Sequence, residues 1–388
     1  MSEHGPIRVL HVVGAMNRGG VETWLMHVLR HGDRARFHHE FVVHSTTPGA
    51  YDNEIRALGS SVFPVSSPRN PALYSLRLRR HLRRHGPYDV VHSHVHHFSG
   101  VVLRAASVTG IRVRIAHSHN DTSAIQAKAA VGRRIYLKVT EALIRRYGTM
   151  RLAASEKAGN ALFRWNHAAE CPWRVLHCGI DLEPFRTLPD RACVRRELGI
   201  PHDDLVFGHV GNLHAQKNHG LLIRIFAELA HRHPQSFLLL IGVGPLRTEL
   251  EAQVAALGLT SKVSFAGTRP DIARLLMGAI DVFVFPSLAE GLPLAVIEAQ
   301  AAGLPIVLSD RVSEEADVMP ELIRRVSPDA GPEEWANACI RFKDVRMPRE
   351  GHQSVEASDM NIRHSVASLQ DVYELSARER RPLGRRAA

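Results

Sequence analysis

The chain has 388 residues, 45% hydrophobic and 23% charged, the mix of an ordinary globular protein with room for two domains of about 150–200 residues each. Its net charge of +10 is uneven, because residues 1–199 carry 29 Lys and Arg against 15 Asp and Glu, whereas residues 200–388 carry 20 against 24. A membrane-spanning helix is excluded by the lack of any long apolar run, a secretory leader is not expected from the strand-like start, and four cysteines (Cys171, Cys178, Cys193, Cys339) with no C-x-x-C pair point to a reducing cytoplasm.

Short β-branched runs alternate with longer amphipathic stretches. Strands are predicted at Ile7–Val13, Phe41–His44, Val90–His94, Val113–His117 and Arg151–Ala154. The rhythm restarts at Leu205–Val210 and continues through Phe237–Gly242, Val263–Phe265, Val282–Pro286 and Ile306–Ser309. Such alternation builds parallel sheets with helices on both faces. The expected fold is α/β, two doubly wound Rossmann-like domains facing each other across a cleft, with ligands at the carboxyl ends of the strands. The expected domains are 1–180 and 203–360. The stretch 181–202, with Pro184, Pro189 and Pro201, reads as the linker. A helix in 361–388 is expected to pack back on the first domain and to end in a structureless basic tail.

Directly after the first strand, Gly19 and Gly20 allow close approach to the main chain at a helix N-terminus, although a tight turn explains the pair equally well. Arg69–His85 holds six arginines and no acid, with Leu73, Leu76, Leu78 and Leu82 at helical spacing. It reads as a solvated helix or as one lying on an anionic membrane surface. The run D-V-V-H-S-H-V-H-H puts His92, His94 and His96 on one face of an extended segment, and His117, His119 and Asn120 close the next strand. Alternating histidines at a strand end can hold a metal or contact substrate. No downstream Asp/His set completes a two-metal site, so no metal is expected.

Phe283–Ala302 carries the strongest chemical signal. A strand ends at Pro286, a polar turn brings Glu290 and Gly291, and Pro293 suits the first position of a helix. The N–H groups of Leu292, Leu294 and Ala295 then form a phosphate site. Glu298 follows about one turn, or roughly 6 Å, beyond Leu294. Two carboxylates therefore flank a bound diphosphate, as the hydroxyls of a nucleotide sugar require. In G-H-V-G-N-L-H-A-Q-K-N (208–218), Lys217 sits where it could neutralise a departing diphosphate. The G-x-G at Gly242–Gly244 is weak evidence alone. No D-x-D pair is present to hold a divalent ion on the diphosphate.

With these pieces in order, the chain resembles the retaining glycosyltransferases of family 4, of GT-B architecture. The resemblance spans about residues 7–310 and rests on G-G-V-E-T (19–23), D-V-V-H-S-H (89–94), H-C-G-I-D (177–181), G-N-L-H-A-Q-K-N (211–218), G-V-G-P-L (242–246) and E-G-L-P-L-A-V-I-E (290–298). It implies that Glu290 contacts the donor sugar, Glu298 the ribose, and Lys217 and Gly20 the diphosphate. It places His119 near the anomeric centre and Arg269 by the nucleobase. Donor contacts are expected from Gly19, Gly20, Asn212, Lys217, Gly244, Arg269, Glu290, Gly291, Leu292, Leu294 and Glu298, and acceptor contacts from His94, His96 and Asn120. Glu290, His119 and Lys217 are the expected catalytic residues. Asn212 departs from the family's arginine, and Cys178 from its asparagine.

The resemblance implies metal-independent transfer of a hexose-type sugar from a nucleotide diphosphate, a UDP-sugar by preference, to an acceptor hydroxyl in cell-surface or exopolysaccharide assembly. The expected partners are that donor, a glycan or lipid-linked acceptor and an anionic membrane surface, and nucleic acid is not among them. Three other readings remain: a small soluble polyhydroxylated acceptor, an inactive sugar-nucleotide-binding protein, and a metallohydrolase built on His92, His94 and His96.

Overall fold

The computed structural model describes residues 5–65, 70–123, 126, 130–163 and 172–379; Arg69, Cys171 and the tail from residue 380, all singled out above, lie outside them. The chain divides into two units. One runs to Gly179 and resumes at Ile362, and the other is Ile180–Asn361.

The first unit has β1 (Ile7–Val13), β2 (Phe37–Val43), β3 (Ser61–Pro64), β4 (Val90–Ser93), β5 (Val113–Ser118), β6 (Met150–Ala153) and β7 (Arg174–Val175). They form one parallel sheet in the order β3-β2-β1-β4-β5-β6-β7. The second unit has β8 (Leu205–Val210), β9 (Ser236–Ile241), β10 (Val263–Gly267), β11 (Val282–Phe285), β12 (Ile306–Ser309) and β13 (Ile323–Val326). Its parallel sheet runs β10-β9-β8-β11-β12-β13. Each order steps outward from the first strand and then resumes on its other side. The reversal falls between β1 and β4 in one unit and between β8 and β11 in the other. Loops leaving the two strands at a reversal diverge to opposite faces and leave a crevice at the carboxyl ends.

On one face of the first sheet Leu10, Val12, Val42 and Val91 pack against the helices Pro71–His85 and Ser99–Val108. The other face is unusual for a buried parallel sheet. Among apolar neighbours such as Val9, Phe41, Val90 and Ile115, four strands each turn one histidine to it (His11, His39, His92 and His117), all buried. Trp24 of the helix Gly20–His31 and Tyr373 of the helix Ile362–Glu379 cover them. Trp24 Nε1 donates to Ser365 Oγ at 3.0 Å, and that hydroxyl donates to the carbonyl of His177 at 2.7 Å. These bonds tie the last helix to the first unit.

The stretch 181–202 differs from the expected linker. Leu182, Phe185, Val194 and Ile200 are buried in the same core as Phe283 and Phe285. Asp190 caps the helix Arg191–Glu197, accepting from the amides of Ala192 and Cys193 at 2.9 and 3.2 Å. Arg195 Nη2 donates to Asp281 Oδ2 at 2.6 Å, and Arg191 pairs with the other oxygen. The prolines break strand periodicity, but the apolar residues between them still reach the core. Among the described residues no helix is long and apolar enough to cross a membrane.

Candidate active site

In the second unit the reversal of strand order lies between the two loops that the sequence singled out. The chain leaves β8 through Gly211–Asn218, and leaves β11 through residues 286–293 into the helix Leu294–Ala301. The loops are stitched together at four points. The Leu288 amide donates to the Gln216 carbonyl at 2.8 Å, and the Gln216 side chain donates to the Ala289 carbonyl. Asn218 Nδ2 donates to the Pro286 carbonyl at 3.3 Å. Lys217 Nζ donates to Glu290 Oε1 at 2.7 Å. Asn218 is left-handed (φ 55°, ψ 42°) and starts the helix His219–Arg232. Lys217 Nζ also lies 4.8 Å from the centre of the Phe285 ring. The ion pair is thus held from both sides, with the lysine side chain 20% exposed and the glutamate 7%.

Pro293 is not the first helical residue. It precedes the helix in an extended conformation (φ −80°, ψ 99°), and its carbonyl accepts from Val296 and Ile297. The amides of Leu292, Leu294 and Ala295 have no acceptor among the described residues. They and the helix dipole offer a site to an anion. Glu290 precedes this terminus. Glu298 lies one turn inside the helix, half-buried, with desolvation pushing its carboxyl up to about 7.

The G-x-G at 242–244 has a packing reason. Gly242 has φ +144°, and a Cβ there would fall 2.1 Å from the Gly211 carbonyl oxygen. A Cβ on Gly244 would fall 2.5 Å from that of Leu213. The Leu213 amide donates to the Val243 carbonyl at 3.0 Å. The loops after β8 and β9 therefore lie backbone against backbone. Gly291 is buried in the loop before the helix, and Asn212 is exposed. Arg269 is engaged by carboxylates: Nε donates to Asp271 at 2.8 Å, and Nη2 pairs with Asp271 at 2.8 Å and Glu197 at 3.3 Å. These partners raise its affinity for its proton.

In the first unit Gly19 is the extended residue before the helix Gly20–His31. A Cβ on Gly19 would meet the Glu22 carboxylate at 2.4 Å, and burial raises that carboxyl to about 7. Glu22 was not singled out from the sequence. The histidines form two hydrogen-bonded chains. In one, His39 Nδ1 meets His11 Nε2 at 2.9 Å, His11 Nδ1 meets His94 Nε2 at 3.1 Å, and His94 Nδ1 meets His119 Nε2 at 2.9 Å. Cys178 Sγ lies 3.8 Å from His119 Nδ1. In the other, His117 Nδ1 meets His92 Nε2 at 3.1 Å, and His92 Nδ1 meets the Tyr373 hydroxyl at 2.7 Å. Desolvation lowers all six rings, His39 to about 4 and His119 to about 3, so they are neutral at ordinary pH.

His96 stands apart from this cluster. The strand ends at Ser93, His96 takes a positive φ of 49°, and its ring meets Thr122 Oγ1 at 3.3 Å. The run therefore does not gather His92, His94 and His96 into one ligand set. Asn120 is exposed just past β5. His11 and His39 escaped the sequence reading, although a histidine at the centre of an apolar strand run was the available signal.

Comparison with known proteins bears on both units. The family model described as "Glycosyl transferases group 1" matches residues 190–349, and the one described as "Glycosyltransferase Family 4" matches residues 18–184. EpsF of Bacillus subtilis (strain 168), named as a glycosyltransferase, is 35% identical over 376 residues, 95% of this chain and 97% of its own length. The UDP-Gal:alpha-D-GlcNAc-diphosphoundecaprenol alpha-1,3-galactosyltransferase of Escherichia coli is 30% identical over 210 residues, 51% of this chain and 53% of its own. The structure of Anabaena HepE with UDP and glucose matches with a TM-score of 0.80 at 20% identity, over 95% of this chain and 100% of that one. A likeness at that identity is one of fold, here the two parallel-sheet Rossmann-like domains of the GT-B architecture.

Proposed function

The chain belongs to the group 1 glycosyltransferases with a family 4 first half, and from that premise we propose a retaining, metal-independent hexosyl transfer from a UDP-sugar to an acceptor hydroxyl in polysaccharide assembly. The observation that carries the reading is the pairing of Lys217 with Glu290 beside the open amides of Leu292, Leu294 and Ala295. The donor diphosphate rests on those amides and takes Lys217 as its counter-charge. Glu290, released from the lysine, turns to the sugar hydroxyls, and Glu298 holds the ribose. Leaving-group charge is met by a cation and fixed dipoles that need no reorganisation during the reaction. His119 is a neutral ring, so it serves the sugar as a hydrogen-bond partner rather than as an acid. Gly19 and Gly20 give main-chain contacts to the diphosphate, and His94, His96 and Asn120 belong to the acceptor. The UDP and glucose bound by HepE support the donor class, and the name of the B. subtilis relative agrees with polysaccharide assembly.

The test is transfer from a panel of UDP-sugars. Lys217→Ala and Glu290→Ala should each lower the rate about 100-fold, the scale of losing one charge-stabilising group, with the circular dichroism spectrum unchanged. Near-normal transfer in both variants defeats the assignment.

The acceptor is a lipid-linked glycan at the inner membrane face. The lipid diphosphate in the name of the E. coli relative supports this, as does the helix Pro71–His85, with five arginines, no acid, and Leu73 and Leu76 exposed. Co-sedimentation with phosphatidylglycerol vesicles should be strong at low salt and lost at high salt. Absence of binding at low salt favours a soluble polyhydroxylated acceptor.

A further inference from the structure

The buried histidines of the first unit do more than fill space under Trp24, and we infer that His94, His117 and His119 form a site for one divalent transition-metal ion. The inference goes beyond the transfer reaction and stands on the first unit alone; an ion there takes the ring nitrogens of His94 and His119 that the acceptor and sugar would otherwise use, so ion and substrates compete for these two rings. One ring nitrogen from each of the three residues lies within 4.8 Å of the other two. They come from the carboxyl ends of neighbouring strands, β4 and β5, where a parallel sheet presents its ligand-binding groups.

Two features distinguish this group from a chance cluster. The first is an orphan. His117 Nε2 is buried and has no hydrogen-bond partner among the described residues. A buried polar atom left unpaired costs free energy unless something fills the position. The second is the arrangement behind each ring. A metal-bound imidazole presents one nitrogen to the ion and donates its other N–H to a fixed acceptor. With His117 binding through Nε2, its Nδ1–H donates to His92 Nε2, which lies 3.1 Å away. With His94 binding through Nδ1, its Nε2–H donates to His11 Nδ1 at 3.1 Å. With His119 binding through Nε2, its Nδ1–H points to Cys178 Sγ at 3.8 Å. All three outer partners are already in place.

His94 Nδ1 and His119 Nε2 are 2.9 Å apart and share one proton. Two nitrogens on one tetrahedral zinc ion stand about 3.3 Å apart, so this pair opens by only a few tenths of an ångström, the shared proton moves to the other nitrogen of the ring that holds it, and the His117 nitrogen, within 4.8 Å of both, closes onto the ion. His94 is half-buried and gives the ion a way in. Three imidazoles select Zn²⁺, Co²⁺, Ni²⁺ or Cu²⁺ and not Mg²⁺ or Ca²⁺, which need oxygen ligands. Water completes the coordination.

The experiment uses the full chain freed of metal by dialysis against a chelator, with Co²⁺ as the probe. The expected result is the intense visible absorption of four-coordinate Co²⁺, saturating at one ion per chain and abolished by Zn²⁺. His117→Phe keeps a ring packed under Trp24 and removes the nitrogen. It should weaken Co²⁺ binding by about tenfold or more, while the exposed His231→Ala has no effect. Only the pale spectrum of octahedral Co²⁺, or an intense spectrum that survives His117→Phe, overturns the site. Should that variant not fold, the thermal midpoint of the wild type decides: Zn²⁺ bound to the folded chain raises it, and an unchanged midpoint overturns the inference.

Discussion

At the scale of single residues, the second unit shows two carboxylates with different neighbours. Glu290 has a lysine at 2.7 Å, whereas Glu298 sits inside a largely apolar helix, where burial alone raises its carboxyl from 4.5 to about 7. The sequence marked both glutamates and Lys217 as site residues. It did not join Lys217 to Glu290, because 73 positions separate them and only the strand order brings their loops together. The same limit explains the histidines: the run at 92–96 was visible, but its partners His11, His39 and His117 come from three other strands. Glu298 yields a prediction of definite sign. A carboxyl whose folded value is raised contributes stability below its ordinary value, and that contribution fades as pH rises through the raised one. The midpoint of thermal unfolding of the wild type should therefore fall relative to Glu298→Gln as pH climbs from 4.5 past about 7. Parallel curves for the two proteins would show that the carboxyl is not desolvated.

At the scale of elements, most of both sheets could be read from apolar periodicity, and the unread strands share a reason. Those strands, β3, β7 and β13, are short edge strands in which few residues are buried, with sequences S-V-F-P, R-V and I-R-R-V. An edge strand is fixed by its neighbour's hydrogen bonds more than by its own apolar content. Loops show the same division. Gly242 looked like weak evidence for a phosphate turn, yet its positive φ and the Gly211 carbonyl against it make the position intolerant of any side chain. Gly242→Ala should cost about 1–3 kcal/mol of stability from backbone strain and push apart the loops after β8 and β9. Gly220→Ala offers the contrast. That residue lies in the helix His219–Arg232, where a Cβ meets nothing closer than 3.5 Å. It should be neutral or stabilise by up to about 1 kcal/mol. Denaturant titration of the pair checks both, and equal effects would contradict the glycine geometry.

At the scale of the whole molecule, one topology is used twice but filled with different chemistry. Both sheets reverse order beside their first strand, and the sequence already announced this through a strand rhythm that restarts near Leu205. The cores do not repeat. The second sheet buries leucine, valine and phenylalanine on both faces, whereas one face of the first sets a neutral histidine on each of four strands among its apolar residues. Among the described residues, burial lowers nine histidines of the first unit, against His209 and His219 in the second. A base whose folded value is depressed adds stability above its ordinary value of 6.5, and that stability is lost as pH falls toward the depressed value, about 4 for His39 and His44. Unfolding the first unit in acid therefore takes up many more protons than unfolding the second, so its stability falls more steeply with pH. Hydrogen exchange followed by mass spectrometry at stepwise lower pH should show β1, β4 and β5 losing protection while β8, β11 and β12 keep theirs. Loss in the opposite order, or in both units together at one pH, would mean that the rings under Trp24 are solvated or charged, and that the first sheet does not rest on a neutral histidine layer.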